Sequence, residues 1–312
     1  LGLARVRKGQ FRNADAAAAY DHAATVFGRR GGLNDVEQKA RALSERGDVL
    51  AAVGRYREAV ETWQRNLDVA TELGWSSSVA AALDDMAEGW FNLGETDQAI
   101  AARREAARLH AENGDHYSLA VTNTNLASLV WGQGDVDEAR DLTDAALASH
   151  LSREEWWDAG DVLERQGARE RVRGNHREAL ALLERALTYY AHGDWPADVA
   201  SASLETAESL EGLGHHARAD STYTVARARF VRAGDPAGEA RVLEWWAMSI
   251  LLRKGGNIGA AGHLDEAFVI RRRLGDLGGQ SDVLRSLAYL AHIDGDYAGA
   301  LAHADSAYAL AM

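Results

Sequence analysis

The chain has 312 residues, 46% of them hydrophobic, with no cysteine, two prolines and a formal net charge of −13. Phosphate binding draws on clustered Lys and Arg, so this charge argues against a nucleic-acid partner, and the missing cysteines exclude disulfides and thiolate metal sites. No apolar run approaches the roughly 18 residues of a membrane span and no signal peptide is visible; the expectation is no membrane insertion, with the cytoplasm favoured and secretion open if a leader preceded Leu1.

From the start of the chain, a glycine followed five residues later by an alanine recurs eight times. The glycines are Gly9, Gly54, Gly94, Gly134, Gly174, Gly214, Gly255 and Gly295, at intervals of 45, 40, 40, 40, 40, 41 and 40 residues. The alanines are Ala14, Ala59, Ala99, Ala139, Ala179, Ala219, Ala260 and Ala300. A period in this range means stacked units. It predicts an all-α protein, one continuous α-solenoid or superhelix over residues 1–312 with about eight helix-turn-helix repeats. The first and last repeats are incomplete, since Leu1 falls midway through the helix before Gly9 and Met312 within the helix after Gly295. Each glycine is expected in the left-handed conformation that ends one helix and admits the next. Each alanine is expected where two helices cross and only a small side chain lets the backbones approach to about 8–10 Å.

One repeat shows the pattern. Ser76–Leu93 places Val79, Leu83, Met86, Ala87 and Trp90 at helical spacing behind a serine cap, giving a first helix, A. Glu95–Asn113 places Ala99, Ile100, Ala106, Ala107 and Leu109 on one face, giving a second helix, B. Gly114-Asp115, Gly193-Asp194, Gly234-Asp235 and Gly275-Asp276 each predict a helix stop and then an aspartate N-cap, with Pro196 and Pro236 in the first turns that follow. Before the fifth turn the glycine ending is missing, and Ser152 with Glu155 reads as a capping box leading into Trp156.

These residues carry a resemblance to a family. Gly54-Arg55-Tyr56-Arg57-Glu58-Ala59, Gly134-Asp135-Val136-Asp137-Glu138-Ala139 and Gly174-Asn175-His176-Arg177-Glu178-Ala179 are similar to the turn and second-helix start of tetratricopeptide (TPR) repeats, units of about 34 residues. Here the helices are about a turn longer, as in bacterial-type variants. A small residue seven before the turn glycine is present as Gly47, Ala87, Ala127, Gly167, Ala207 and Ala288, with Met248 the departure. The resemblance implies that helix A lines a concave groove. It implies groove positions at Arg41, Asp48, Asp84, Glu88, Phe91, Asn125, Ser128 and Trp131, and further along at Glu164, Arg165, Arg171, Glu205, Glu208, Glu211, Trp245, Ser249, Arg285 and Tyr289. Such a wall, acidic and dotted with aromatics, suits a protein or peptide segment carrying basic and apolar side chains.

No catalytic constellation stands out. There is no Walker loop, HExxH, GxSxG or cysteine nucleophile, so neither catalysis, cofactor nor metal is expected. Gly255–Gly259 sits at a repeat turn with no strand before it and does not read as a phosphate loop, and Asp84-Asp85 reads most simply as part of a solvated face. Three functions follow. The first is a non-catalytic binding scaffold within a larger bacterial protein. The second is a subunit stacking head to tail through uncapped ends into fibres. The third is a sensor segment of a multidomain regulator or caspase-like protease.

Overall fold

The structure, a computed structural model, describes residues 13–29, 32–253 and 259–311; the turns expected at Gly9 and Gly255 lie outside them. Among the described residues there are fifteen α-helices and no strand. Contacts gather the chain into two compact units, Leu1–Glu154 and Glu155–Met312. The first holds α1 (Asn13–Gly28), α2 (Leu33–Ala52), α3 (Tyr56–Glu72), α4 (Ser76–Asn92), α5 (Thr96–Glu112), α6 (His116–Gly132) and α7 (Val136–Ser152). The second holds α8 (Trp156–Val172), α9 (His176–Tyr190), α10 (Pro196–Gly212), α11 (His216–Ala233), α12 (Pro236–Leu252), α13 (Ala260–Arg273), α14 (Leu277–Ile293) and α15 (Tyr297–Ala311). Even-numbered helices are the A helices and odd-numbered ones the B helices.

Within each unit every helix packs on the next in sequence, which makes each an α-solenoid of stacked hairpins. The A helices also touch one another: α2 meets α4 in the first unit, and α8, α10, α12 and α14 meet in succession in the second. No two B helices make contact on that scale. In a stack of hairpins the side on which alternate helices come closest is the inner side of the bend, so in each unit the concave side is the A side.

The repeat positions behave as their chemistry demands. The described turn glycines Gly54, Gly94, Gly134, Gly174, Gly214 and Gly295 have φ from +76° to +95°. Ala59, Ala99, Ala179, Ala219 and Ala260 are fully buried and Ala139 nearly so, whereas Ala300, on α15, is only half-buried. How tightly the helices approach is visible at Gly167. A Cβ there would stand 2.8 Å from Leu183 Cγ and 3.4 Å from the Ala179 carbonyl oxygen, so α8 presses directly on the backbone of α9. Larger side chains fill the space between crossings: Tyr20, Trp63 and Met86 pack together in the first unit, and Tyr223 and Phe230 in the second.

Three expected caps are corrected. Asp115, Asp235 and Asp276 do cap, accepting from the Ser118, Gly238 and Gly279 backbone N–H groups at 3.0, 2.9 and 2.8 Å. Asp194 does not, because Pro196 fixes the first helical position and Trp195 is therefore the N-cap. Its carboxylate instead accepts from Arg232 Nη2 at 2.9 Å. Ser76 opens α4 from inside, with Trp75 at the N-cap and no side-chain cap bond. Ser152 is the last residue of α7, its hydroxyl donating to the Ser149 carbonyl at 2.8 Å, so no capping box forms. The left-handed residue at this connection is Glu154, at φ +57°, where Gly74, Gly114, Gly234 and Gly275 serve at the corresponding connections.

A left-handed non-glycine residue costs about 1–2 kcal/mol, partly offset in glycine by roughly 0.5–1 kcal/mol of backbone entropy. Glu154→Gly is therefore expected to raise the melting temperature by a few degrees in thermal unfolding followed by circular dichroism. Ala179→Leu forces a branched side chain into the α8–α9 crossing and is expected to cost about 1–3 kcal/mol in the same measurement.

Candidate functional site

In the first unit the predicted concave residues divide into exposed groups and structural ones. Arg41 and Glu88 are exposed, and Phe91 is 56% exposed; Asp48, Asn125 and Ser128 are half-buried. Trp131 is half-buried against the core of Leu126, Leu129 and Val130, so it fills the stack instead of standing free in the groove.

Asp84 and Asp85 are not a solvated face. Asp84 Oδ1 accepts from Arg103 Nη1 at 2.6 Å, while Oδ2 accepts from Thr122 Oγ1 at 2.8 Å and lies 3.0 Å from His110 Nε2. Arg103 and His110 belong to α5 and Thr122 to α6, so one carboxylate on α4 ties three successive helices. The side chains of Arg103 and His110 are themselves buried. Asp84 is thereby committed to the fold and is not available to grip a partner. Beside it, burial first and then the charges of Asp48, Asp84 and Glu88 push the Asp85 carboxyl up to about 7, against the pull of Arg103.

In the second unit Glu164 accepts from the Tyr190 hydroxyl at 2.8 Å and has its carboxyl raised mainly by burial. Arg165, exposed, donates to Asp161 at 2.7 Å. Trp245 and Tyr289 are 47% and 49% exposed, and Arg285 is exposed and paired with Asp282. Trp246, next to Trp245, turns the other way. Its ring stacks between Tyr223 and His263, with centroids 5.7 and 4.3 Å away, and its Nε1 donates to Asp220 at 2.7 Å.

The A helices of this unit enclose a pocket of about 550 Å³. Its walls are Arg171 of α8, Glu208 and Glu211 of α10, Tyr223 of α11, Glu244, Trp245, Met248, Ser249 and Leu252 of α12, and Asp282 and Ser286 of α14. Of the predicted groove residues it brings together Arg171, Glu208, Glu211, Trp245 and Ser249. Arg171 Nε donates to Glu205 at 2.6 Å. Its Nη1 comes within 2.9 Å of Glu208 Oε2 but out of line, so that buried oxygen accepts no hydrogen bond from any described residue. Burial raises the Glu208 carboxyl to about 7; Glu205 adds to the rise, and Arg171 and Arg241 oppose it. Glu244 and Met248 lie off the predicted groove positions. The signal for the pocket was Met248, the departure from the column of small residues: a long flexible side chain stands where other repeats carry Gly or Ala.

No protein-family profile matches the chain, and no curated protein matches it. Solved structures do. The quorum sensor NprR from B. thuringiensis, in its apo form, aligns with a TM-score of 0.69 at 13% identity, over 99% of this chain and 86% of its own. The Rap conjugation gene regulator of plasmid pLS20, in complex with the Phr* peptide, aligns with a TM-score of 0.58 at 11% identity, over 88% and 74%. A Podosopora anserina putative kinesin light chain with nearly identical TPR-like repeats aligns with a TM-score of 0.53 at 18% identity, over 62% and 95%. At such identities the likeness is one of fold: the chain is an all-α solenoid of the TPR-like kind.

The raised Asp85 carboxyl has a testable consequence. The unfolded chain releases this proton near pH 4, whereas the folded chain holds it to about 7; stability is therefore lost as pH rises through that window and the full penalty stands above it. Asp85→Asn is expected to raise the melting temperature by several degrees at pH 8 and to leave it nearly unchanged at pH 4.

Proposed function

We propose that this chain is a non-catalytic scaffold that holds a peptide, or an extended segment of a partner protein, against its A-helix faces. The observation that carries this reading is the exposure of large aromatics among carboxylates on the concave side. Phe91, Trp245 and Tyr289 stand open on α4, α12 and α14, where a folded monomer with no ligand to meet would gain by burying them. Exposed aromatic anchors ringed by polar groups are the usual form of a peptide-binding surface. The net charge of −13 favours a partner with basic side chains. A regulatory setting, in which binding is read out by another part of a longer protein, draws support from the fold likeness to a quorum sensor and to a gene regulator solved with a peptide. Head-to-tail stacking draws none from these comparisons.

Panning a random dodecapeptide library on the immobilised chain, followed by fluorescence-polarisation titration of synthetic hits, tests the reading. Hits should bind in the micromolar range or tighter. Phe91→Ala should weaken hits held by the first unit, and Trp245→Ala hits held by the second, tenfold or more, while Val231→Ala, on the exposed face of the B helix α11, should not. An absence of binders, or binding indifferent to all three substitutions, would overturn it.

A further inference from the structure

The pocket between α10, α12 and α14 has a chemistry more specific than a groove. One wall is apolar, made by Trp245, Met248 and Leu252, with Leu252 75% exposed at its edge. The other is acidic, and its carboxylates outnumber the cations that serve them. Arg171 serves both Glu205 and Glu208; Arg253 serves both Glu211 and Asp220; Arg271 serves both Glu244 and Asp276. Arg285 pairs with Asp282, Arg241 acts on Glu208 and His216 also reaches Glu211 at 2.8 Å, so around the pocket seven carboxylates stand against five arginines and one histidine; four of the seven, Glu208, Glu211, Glu244 and Asp282, line it.

Within that excess one group is singled out by geometry. The Glu208 side chain is only 9% exposed, yet its Oε2 accepts no hydrogen bond from any described residue. Burial, opposed by Arg171 2.9 Å away, raises the Glu208 carboxyl to about 7, so one arginine does not fully offset the desolvation of this carboxylate. A cation that enters the pocket would take the place of the carboxyl's proton. Tyr223, buried beside Glu208 and Glu211, also lines the pocket.

A ligand that fits both walls needs a flat or linear apolar stem ending in a cation. Guanidinium meets this better than ammonium, because it is less strongly hydrated, stacks on an indole face and keeps its donors in a rigid plane. We infer that this pocket receives an arginine side chain of the bound peptide, with Glu208 Oε2 accepting from the guanidinium and Trp245, Met248 and Leu252 covering the stem. This rests on the peptide-scaffold reading and narrows it to one anchoring contact.

A double-mutant cycle on the panned peptides tests it. Hits should carry an arginine whose replacement by citrulline, which keeps the shape and removes the charge, weakens binding to the unaltered chain at least tenfold. In Glu208→Gln the same replacement should matter less than twofold. Trp245→Ala, an exposed position whose loss leaves the core intact, should weaken the arginine peptide about tenfold, and it provides a second variant should Glu208→Gln melt early. Two outcomes would overturn the inference while leaving the scaffold reading standing: hits that bind through Trp245 without any basic residue, or a citrulline penalty unchanged in Glu208→Gln. Failure to obtain any binder would remove both.

Discussion

Everything in this molecule depends on how closely neighbouring helices are allowed to approach. The crossing of α8 on α9 leaves no room for even a methyl group at Gly167, and the alanine column buries completely at Ala59, Ala99, Ala179 and Ala219. Dispersion contacts fall away within an ångström of extra separation, so small residues at crossings set the packing of each hairpin on the next. Tyr20, Trp63, Tyr223 and Phe230 can then fill the gaps between crossings. A repeat of this design has no private core: each hairpin is completed by its neighbours.

The second recurring device is electrostatic. An alanine-rich stack with 47 acidic and 34 basic side chains must place carboxylates close together on its polar faces. It does so by letting one arginine hold two carboxylates: Arg171 holds Glu205 and Glu208 of α10, Arg253 holds Glu211 and Asp220, Arg271 holds Glu244 and Asp276, and Arg227 holds Glu239 and Glu266. Shared pairs of this kind fix the register of successive helices while leaving the surface acidic. Where burial removes water as well, the carboxylates respond by holding their protons, at Asp85 in the first unit and at Glu208 in the second. The two sites differ in consequence. Asp85 sits beside Asp84, whose oxygens are consumed by Arg103, His110 and Thr122, and so belongs to a strut. Glu208 lines a pocket, and its Oε2, ion-paired with Arg171, accepts no hydrogen bond from any described residue.

Architecture and binding surface therefore have different origins in the chain. The fold comes from residues that are small and recur, the surface from residues that are large and do not. That is why structures with 11–18% identity share the architecture: the repeated small positions are few and chemically permissive, whereas the groove is free to vary.

The forty-residue spacing of glycine and alanine determined by itself that the chain would be helical and stacked, because left-handed turns and tight crossings admit few other residues. The same pattern placed Phe91, Trp245 and Tyr289 on the A faces, where all three are exposed. It could not decide between Trp245 and Trp246, adjacent and identical, of which one opens to solvent and the other stacks on Tyr223 and His263. Nor could it tell Asp84, tied into three helices, from Glu208, which lines a pocket with one oxygen that accepts no hydrogen bond from any described residue, or see that Asp194 would lose its capping role to the residue before Pro196. The last of these is set locally by Pro196, whereas the others depend on which side chains arrive from helices about 20 to 40 residues away. Distances across a packed interface, and not periodicity along the chain, decide whether a carboxylate is spent on the fold or remains for a ligand.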